Sequence, residues 1–249
     1  MMKNVRLTVI TLILMMISQF SRAQEFGLSF SYFLPKHGDF STPISPFSIR
    51  GLGFDINRFL AVETGASLYR MSGLSMKDLP FESTKPLVGP NFTIFVPVEL
   101  VIGLKGAQVQ FDIKGGGFFF YGFDQKINYG NMDRAIRKYE NWTVANSDFS
   151  FKNSPGFGWH AGAELTINVT SQVGVSIETN YLVGQSNLPL KGTYSGYYTN
   201  DLGDVETESV DADFADAKID FTGLEFSIGL IFNSGGGQPG KGKAKRRRR

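Results

Sequence analysis

The chain has 249 residues, 42% of them hydrophobic, with 29 glycines and no cysteine. That length suits one all-β domain, and the missing cysteines exclude disulfides and thiolate metal sites. The formal charge of +2 conceals a segregation: seven Lys and Arg stand in the last nine positions, whereas residues 24–233 carry 15 basic against 23 acidic residues, a net of −8.

Lys3 and Arg6 precede an apolar run of fourteen, Leu7 to Phe20, and Ser21-Arg22-Ala23 supplies small residues around a cut. This is the pattern of a secretion signal, and it is shorter than the roughly 20 residues of a spanning helix. Residues 1–23 are therefore expected to be removed on export, and no later stretch is a continuous apolar twenty-mer. Export also takes the basic tail away from nucleic acid.

Eight segments then alternate apolar and polar residues with a period of two, the mark of strands. The first, Phe26 to Leu34, sets Phe26, Leu28, Phe30, Tyr32 and Leu34 against Gly27, Ser29 and Ser31. The second, Phe47 to Ile56, puts Leu52, Phe54 and Ile56 on one face; strict alternation would then turn Arg50 to that same apolar face. After an Asn57-Arg58 turn the third runs from Phe59 to Met71, and a long polar loop, 72–91, follows. The fourth, Phe92 to Ile102, contains Pro97, which is read as a bulge because proline cannot donate to a ladder. The fifth, Val109 to Gly122, carries Gly115-Gly116-Gly117 in mid-strand, where a bend or a crowded interior is expected. Residues 123–155 are polar, with room for a helical turn or two around Met132 to Tyr139. The sixth (Gly156 to Val169) and seventh (Val173 to Gly184) strands flank a tight turn, and residues 185–218 read as a last long loop, acidic at its end. The eighth, Ile219 to Phe232, alternates Leu224, Phe226, Ile228, Leu230 and Phe232 with Glu225, Ser227, Gly229 and Ile231.

Connections alternate long and short. Even strand number, short turns at one end, long loops at the other and an apolar-out, polar-in alternation describe an outer-membrane barrel. The last strand must then pair with the first, so that no backbone group stays unpaired in lipid. The fold expected is an all-β, eight-stranded antiparallel transmembrane β-barrel, an up-and-down meander over 24–233, in a bacterial outer membrane with its lipid and lipopolysaccharide. A secreted β-sandwich shares the alternation, but a sandwich core cannot be built from Gly and Glu, whereas a narrow polar lumen can.

The signal peptide, EFGLSFSYFL, NRFLAVETGASLYRM, GWHAGAELTINVTSQVGVSIETNYLVG and the closing LEFSIGLIF resemble the outer-membrane barrel domain abundant in Bacteroidota, grouped as porin-like or PorT-like; the architecture also resembles OmpA and OmpX barrels. The resemblance implies no catalytic motif. It does imply a place within or beside the type IX secretion machinery for some members. One departure is that Phe232 is followed by seventeen residues, where OmpA has a peptidoglycan-binding domain; this tail is too short to fold into one.

Asp55, Glu63, Glu99, Asp112, Glu164, Glu178 and Glu225 fall on inward positions, most at similar depth, with Lys114 and His160 as the obvious inward cations. Buried carboxylates need cations, hydrogen-bond donors or water, so a polar plug is expected; slow cation leakage past an acidic ring is the alternative. His160 and Glu164 share a face, but no serine is placed with His160, His37 lies in a loop, and no Walker, HExxH or GxSxG motif occurs. No cofactor, metal or catalytic residue is assigned, and a lipid-modifying enzyme is the weakest reading. The tail, 234–249, reads as a flexible SGGGQPG spacer followed by Lys241, Lys243, Lys245, Arg246, Arg247, Arg248 and Arg249. Beside a body of net −8, it is expected to be a disordered periplasmic segment that meets an acidic protein partner. The functional expectation is a non-enzymatic structural or accessory subunit.

Overall fold

The computed structural model describes residues 25–36, 44–106 and 108–233. The expected signal segment, His37, Ala107 and the basic tail lie outside the described residues. Eight strands close the barrel: β1 (Glu25–Pro35), β2 (Ile44–Asn57), β3 (Leu60–Met71), β5 (Asn91–Lys105), β6 (Val109–Phe123), β8 (Gly156–Asn168), β9 (Val173–Asn187) and β13 (Gly223–Asn233). Each pairs antiparallel with its neighbour in the chain, and β13 pairs with both β9 and β1. The closing seam runs without a slip from Glu25↔Asn233 to Pro35↔Gly223, and the Phe26 and Phe232 rings stack across it at 5.1 Å.

Short turns close one end, taken as periplasmic by the outer-membrane rule. Asn57 Oδ1 accepts the Phe59 and Leu60 amides, and Thr170 Oγ1 accepts those of Gln172 and Val173. The outward side chains Phe30, Phe54, Ile113, Phe157, Trp159 and Ile228 are each more than half exposed. In water so much apolar surface would be a severe liability; in a bilayer it is the lipid contact. Among the described residues no helix is long and apolar enough to cross a membrane, so the strands do the spanning.

The outer ends of the strands, up to 15 residues long, exceed the roughly 9–11 needed to cross and carry a cap. The three long polar stretches are not plain loops. The 72–91 segment holds β4 (Met76–Lys77), which pairs with β12 (Lys218–Asp220). The 123–155 segment holds α1 (Tyr129–Glu140) and β7 (Val144–Phe151), so the helix is three turns, longer than the sequence suggests. Asn128 caps its start, Asn141 in the left-handed conformation ends it, and Met132, Ala135 and Ile136 form its buried face. The 185–218 segment forms a hairpin of β10 (Leu190–Thr199) and β11 (Val205–Phe214). With β7 these make a separate sheet in the order β11-β10-β7.

Two strand readings are corrected. Pro97 makes no bulge: the pairing of β5 with β3 keeps one register on both sides of it, and that with β6 is continuous. Its carbonyl accepts the Thr64 hydroxyl at 2.6 Å. The bulges lie in β2, whose register shifts against both neighbours. The predicted eighth strand is broken as well: β12 ends at Asp220, and Phe221-Thr222 turns inward before β13 begins.

The cap carries its own ion-dipole contact. Tyr194 on β10 is buried, and its hydroxyl donates to Glu140 at the end of α1 at 2.6 Å. Burial first, then this bond, pushes its pKa up. A raised acid pKa stabilises the fold fully below the ordinary tyrosine range and is lost only as pH rises through the folded value, so the contact is constant at physiological pH. Tyr194→Phe is expected to cost about 2 kcal/mol, seen as faster proteolytic nicking of the cap with the barrel intact.

Candidate functional site

The interior divides into two layers, and local sequence explains each. In the periplasmic half, inward positions carry acids. Asp112, Glu164 and Glu178 stand side by side on β6, β8 and β9, Glu63 faces Glu99 across β3 and β5, and Glu225 faces Asn180. These six occupy three successive inward rows, with Lys114, Asn180 and Glu225 on the middle one, and Asp55 sits apart at the rim with Lys105 Nζ at 3.2 Å.

Two cations reach these buried acids, Lys114 as expected and Arg50 against expectation. Lys114 bonds Glu164 at 2.5 Å and lies 3.5 Å from Glu63. Arg50, which strict alternation would turn to lipid, is 2% exposed and bonds Glu225 at 2.5 Å. The cause is backbone geometry. Ile49 and Phe54 both face outward although five positions apart, so one extra residue must sit between them. Gly51 takes it up with φ +71°, a conformation glycine adopts at little cost. The remaining Glu225 valences are filled by the Tyr69 hydroxyl and by Asn180 Nδ2 at 2.8 Å, and Asn180 also bonds Glu178 at 2.7 Å. Ser31 links to Ser48 and Ser227 on the flanking strands.

His160 does not join Glu164. Its Nε2 lies 3.8 Å from Glu99, beyond hydrogen-bond length, while Glu164 is held by Lys114. Both carboxylate oxygens of Glu99 and both ring nitrogens of His160 lack a hydrogen-bond partner; polar interiors of this kind are where ordered water binds. Among the described residues no three His, Asp or Glu side chains are arranged to hold a metal ion. The recess between Phe26, Arg50, Glu63, Asp112 and Lys114 holds about 20 Å³ of free space, room for about one water.

The outer half is a different material. Phe33, Tyr69, Phe95, Phe118, Phe120, Leu182 and Phe221 are buried there. Phe221, from the break after β12, lies stacked between Phe33 at 4.7 Å and Phe120 at 4.6 Å, with Phe118 at 6.0 Å. The facing glycines make room. A Cβ on Gly158 would meet the Phe118 ring at 2.4 Å, one on Gly184 at 2.6 Å, and one on Gly156 would meet Phe120 at 2.2 Å. The stack continues into the cap core through Leu74, Val88, Met132, Ile136 and Leu188. The polar plug expected throughout is thus confined to the periplasmic half.

No protein-family model and no curated protein sequence matches the chain. Among solved structures it is similar to the outer membrane protein OprG from Pseudomonas aeruginosa, with TM-score 0.50, 11% identity, and coverage of 84% of this chain and 95% of OprG. The fold is that of an outer-membrane β-barrel. Ail of Yersinia pestis (TM-score 0.38, 12% identity, 84% and 94% coverage) and Neisserial surface protein A (0.36, 12%, 84% and 94%) also match. With its closed wall and apolar exterior, the chain is a protein of the bacterial outer membrane.

Proposed function

We propose that this barrel is a non-conducting, non-enzymatic accessory subunit, anchored by outer-membrane lipid and lipopolysaccharide, whose basic tail contacts an acidic protein partner in the periplasm. The observation that carries the first half is the aromatic stack of Phe33, Phe95, Phe118, Phe120 and Phe221 across the lumen. The acids below it are largely matched by Arg50, Lys114, Lys105 and Asn180. The recess among these acids has room for about one water, too little to admit Lys241, Lys243, Lys245 and Arg246 to Arg249, which favours a separate partner. The likeness to Bacteroidota barrels supports seeking that partner in an envelope-assembly or type IX secretion complex.

Purified full-length protein in planar bilayers is expected to give no conductance steps; reproducible cation-selective steps would make it a small pore instead. A mild-detergent pull-down through a tag at the exposed hairpin tip beside Leu202 is expected to recover a partner with the full chain and lose it when the chain stops at Ser234. An unchanged set of partners would remove the role of the tail.

A further inference from the structure

The cap sheet treats its two edges differently, and the difference goes beyond the tail and the closed lumen. The phase of its ladder follows from one bond: the Asn200 amide donates to the Asp204 carbonyl, so pairs alternate from there. On β11 the backbone groups of Glu206, Glu208, Val210 and Ala212 face β10, while those of Val205, Thr207, Ser209, Asp211 and Asp213 face away. The same phase directs Ser147 and Phe149 of β7 to the opposite edge, and there both are occupied. Asp133 of α1 accepts the Ser147 amide at 2.9 Å and its hydroxyl at 2.5 Å, and Tyr129 of α1 donates to the Phe149 carbonyl at 3.1 Å. The helix covers that edge.

Nothing among the described residues covers the β11 edge. It is ten residues long, pairs with β10 without a bulge and contains no proline or lysine, the features that normally blunt an exposed edge. Seven of its ten side chains are exposed, while Val210, Ala212 and Phe214 turn toward the cap core. From Gly192 to Ala217 the chain has no Lys or Arg but carries Asp201, Asp204, Glu206, Glu208, Asp211, Asp213 and Asp216. One of the four acids on the strand has a basic neighbour, Asp213 with Lys191 at 3.8 Å. Such an edge repels a second copy of itself, because like charges would stand opposed. It matches a strand of the opposite charge.

We propose that the free edge of β11 is a docking site on the outer surface for an extended, cationic segment of a protein partner, which adds as a fourth strand beside β11. The acids also set the pattern of that segment. Glu206 and Glu208 lie on the sheet face of the buried Ala212, and Asp211 and Asp213 on the opposite face. Opposing cations must change face midway, in the spacing Lys-x-Lys-x-x-Lys-x-Lys.

The test uses the full-length protein in lipid nanodiscs and two ten-residue threonine-based peptides of equal composition, one with that lysine spacing and one with strictly alternating lysines. The spaced peptide is expected to slow amide hydrogen exchange at Thr207, Ser209 and Asp211 by at least about tenfold, and to bind more tightly than the alternating one. Added salt weakens it. Ser209→Pro, at an outward-facing amide of an exposed edge, abolishes the protection. Should that variant fail to fold, Glu206→Gln, Glu208→Gln, Asp211→Asn and Asp213→Asn together keep the backbone and lower affinity about tenfold or more. The proposal is overturned by absent protection, by equal binding of both peptides, by protection arising from calcium or lipopolysaccharide without peptide, or by self-association of the barrel through β11.

Discussion

Arg50→Met is expected to destabilise the barrel by about 3–5 kcal/mol, because it leaves the Glu225 carboxylate buried without its cation. Glu225 is 0% exposed and receives the guanidinium at 2.5 Å; the Tyr69 hydroxyl and Asn180 amide that remain are neutral donors and do not replace a positive charge. Methionine keeps the length and much of the volume of the arginine stem, so the loss reports charge rather than a cavity. Adding Glu225→Gln removes the orphaned charge and keeps one acceptor oxygen, enough for the Tyr69 hydroxyl, while the amide NH2 takes the place of the oxygen that accepts from Asn180. The double variant is expected to recover about 2 kcal/mol of the deficit, a coupling of the size contacting groups show. Urea-driven unfolding from lipid vesicles, followed through Trp142 and Trp159, measures all three. A single variant as stable as the parent would mean that the pair contributes nothing to the fold, and a double variant no better than the single would mean that the loss does not come from the orphaned carboxylate.

Phe221→Ala is expected to cost about 3–5 kcal/mol, the range for emptying a buried aromatic site. The ring is fully buried and touches Phe33, Phe95, Phe118 and Phe120, so the walls cannot all collapse onto the space. Four rings still cross the lumen, and conductance is therefore expected to stay absent although stability falls. Unfolding and planar-bilayer recordings on the same preparation separate the two effects. Loss below about 1 kcal/mol would show that the ring leaves the stack, and steady conductance in this variant would show that Phe221 alone seals the barrel.

Alternation within single strands was enough to place most side chains. Phe26 to Leu34 and Leu224 to Phe232 could be read as partners because each exposes one wide apolar face, and they pair in register. Lys114 and the inward acids follow from the same two-residue period. Arg50 could not be placed that way: one extra residue at Gly51 reverses the parity, and nothing local distinguishes that glycine from others in the strands. The cue available was the conflict itself, a charged residue assigned to lipid.

The sequence by itself determined the wall: eight amphipathic strands, alternating long and short connections, and an interior too rich in Gly and Glu for a sandwich. These are properties of consecutive residues, and lipid allows a chain of this pattern only a closed barrel. Tertiary structure alone decided which acid meets which base, that Phe221 leaves its strand to fill the lumen, and that residues 144–151 and 190–214 form a sheet. The β11 segment alternates apolar and acidic residues only over Val210, Ala212 and Phe214, which pack on the cap core, and its first half is exposed, so it reads as a polar loop. It pairs with β10 across a turn, and β10 pairs in turn with β7, which ends at Phe151, well back in the chain from Leu190, and pairing over that separation depends on the whole cap packing above the barrel.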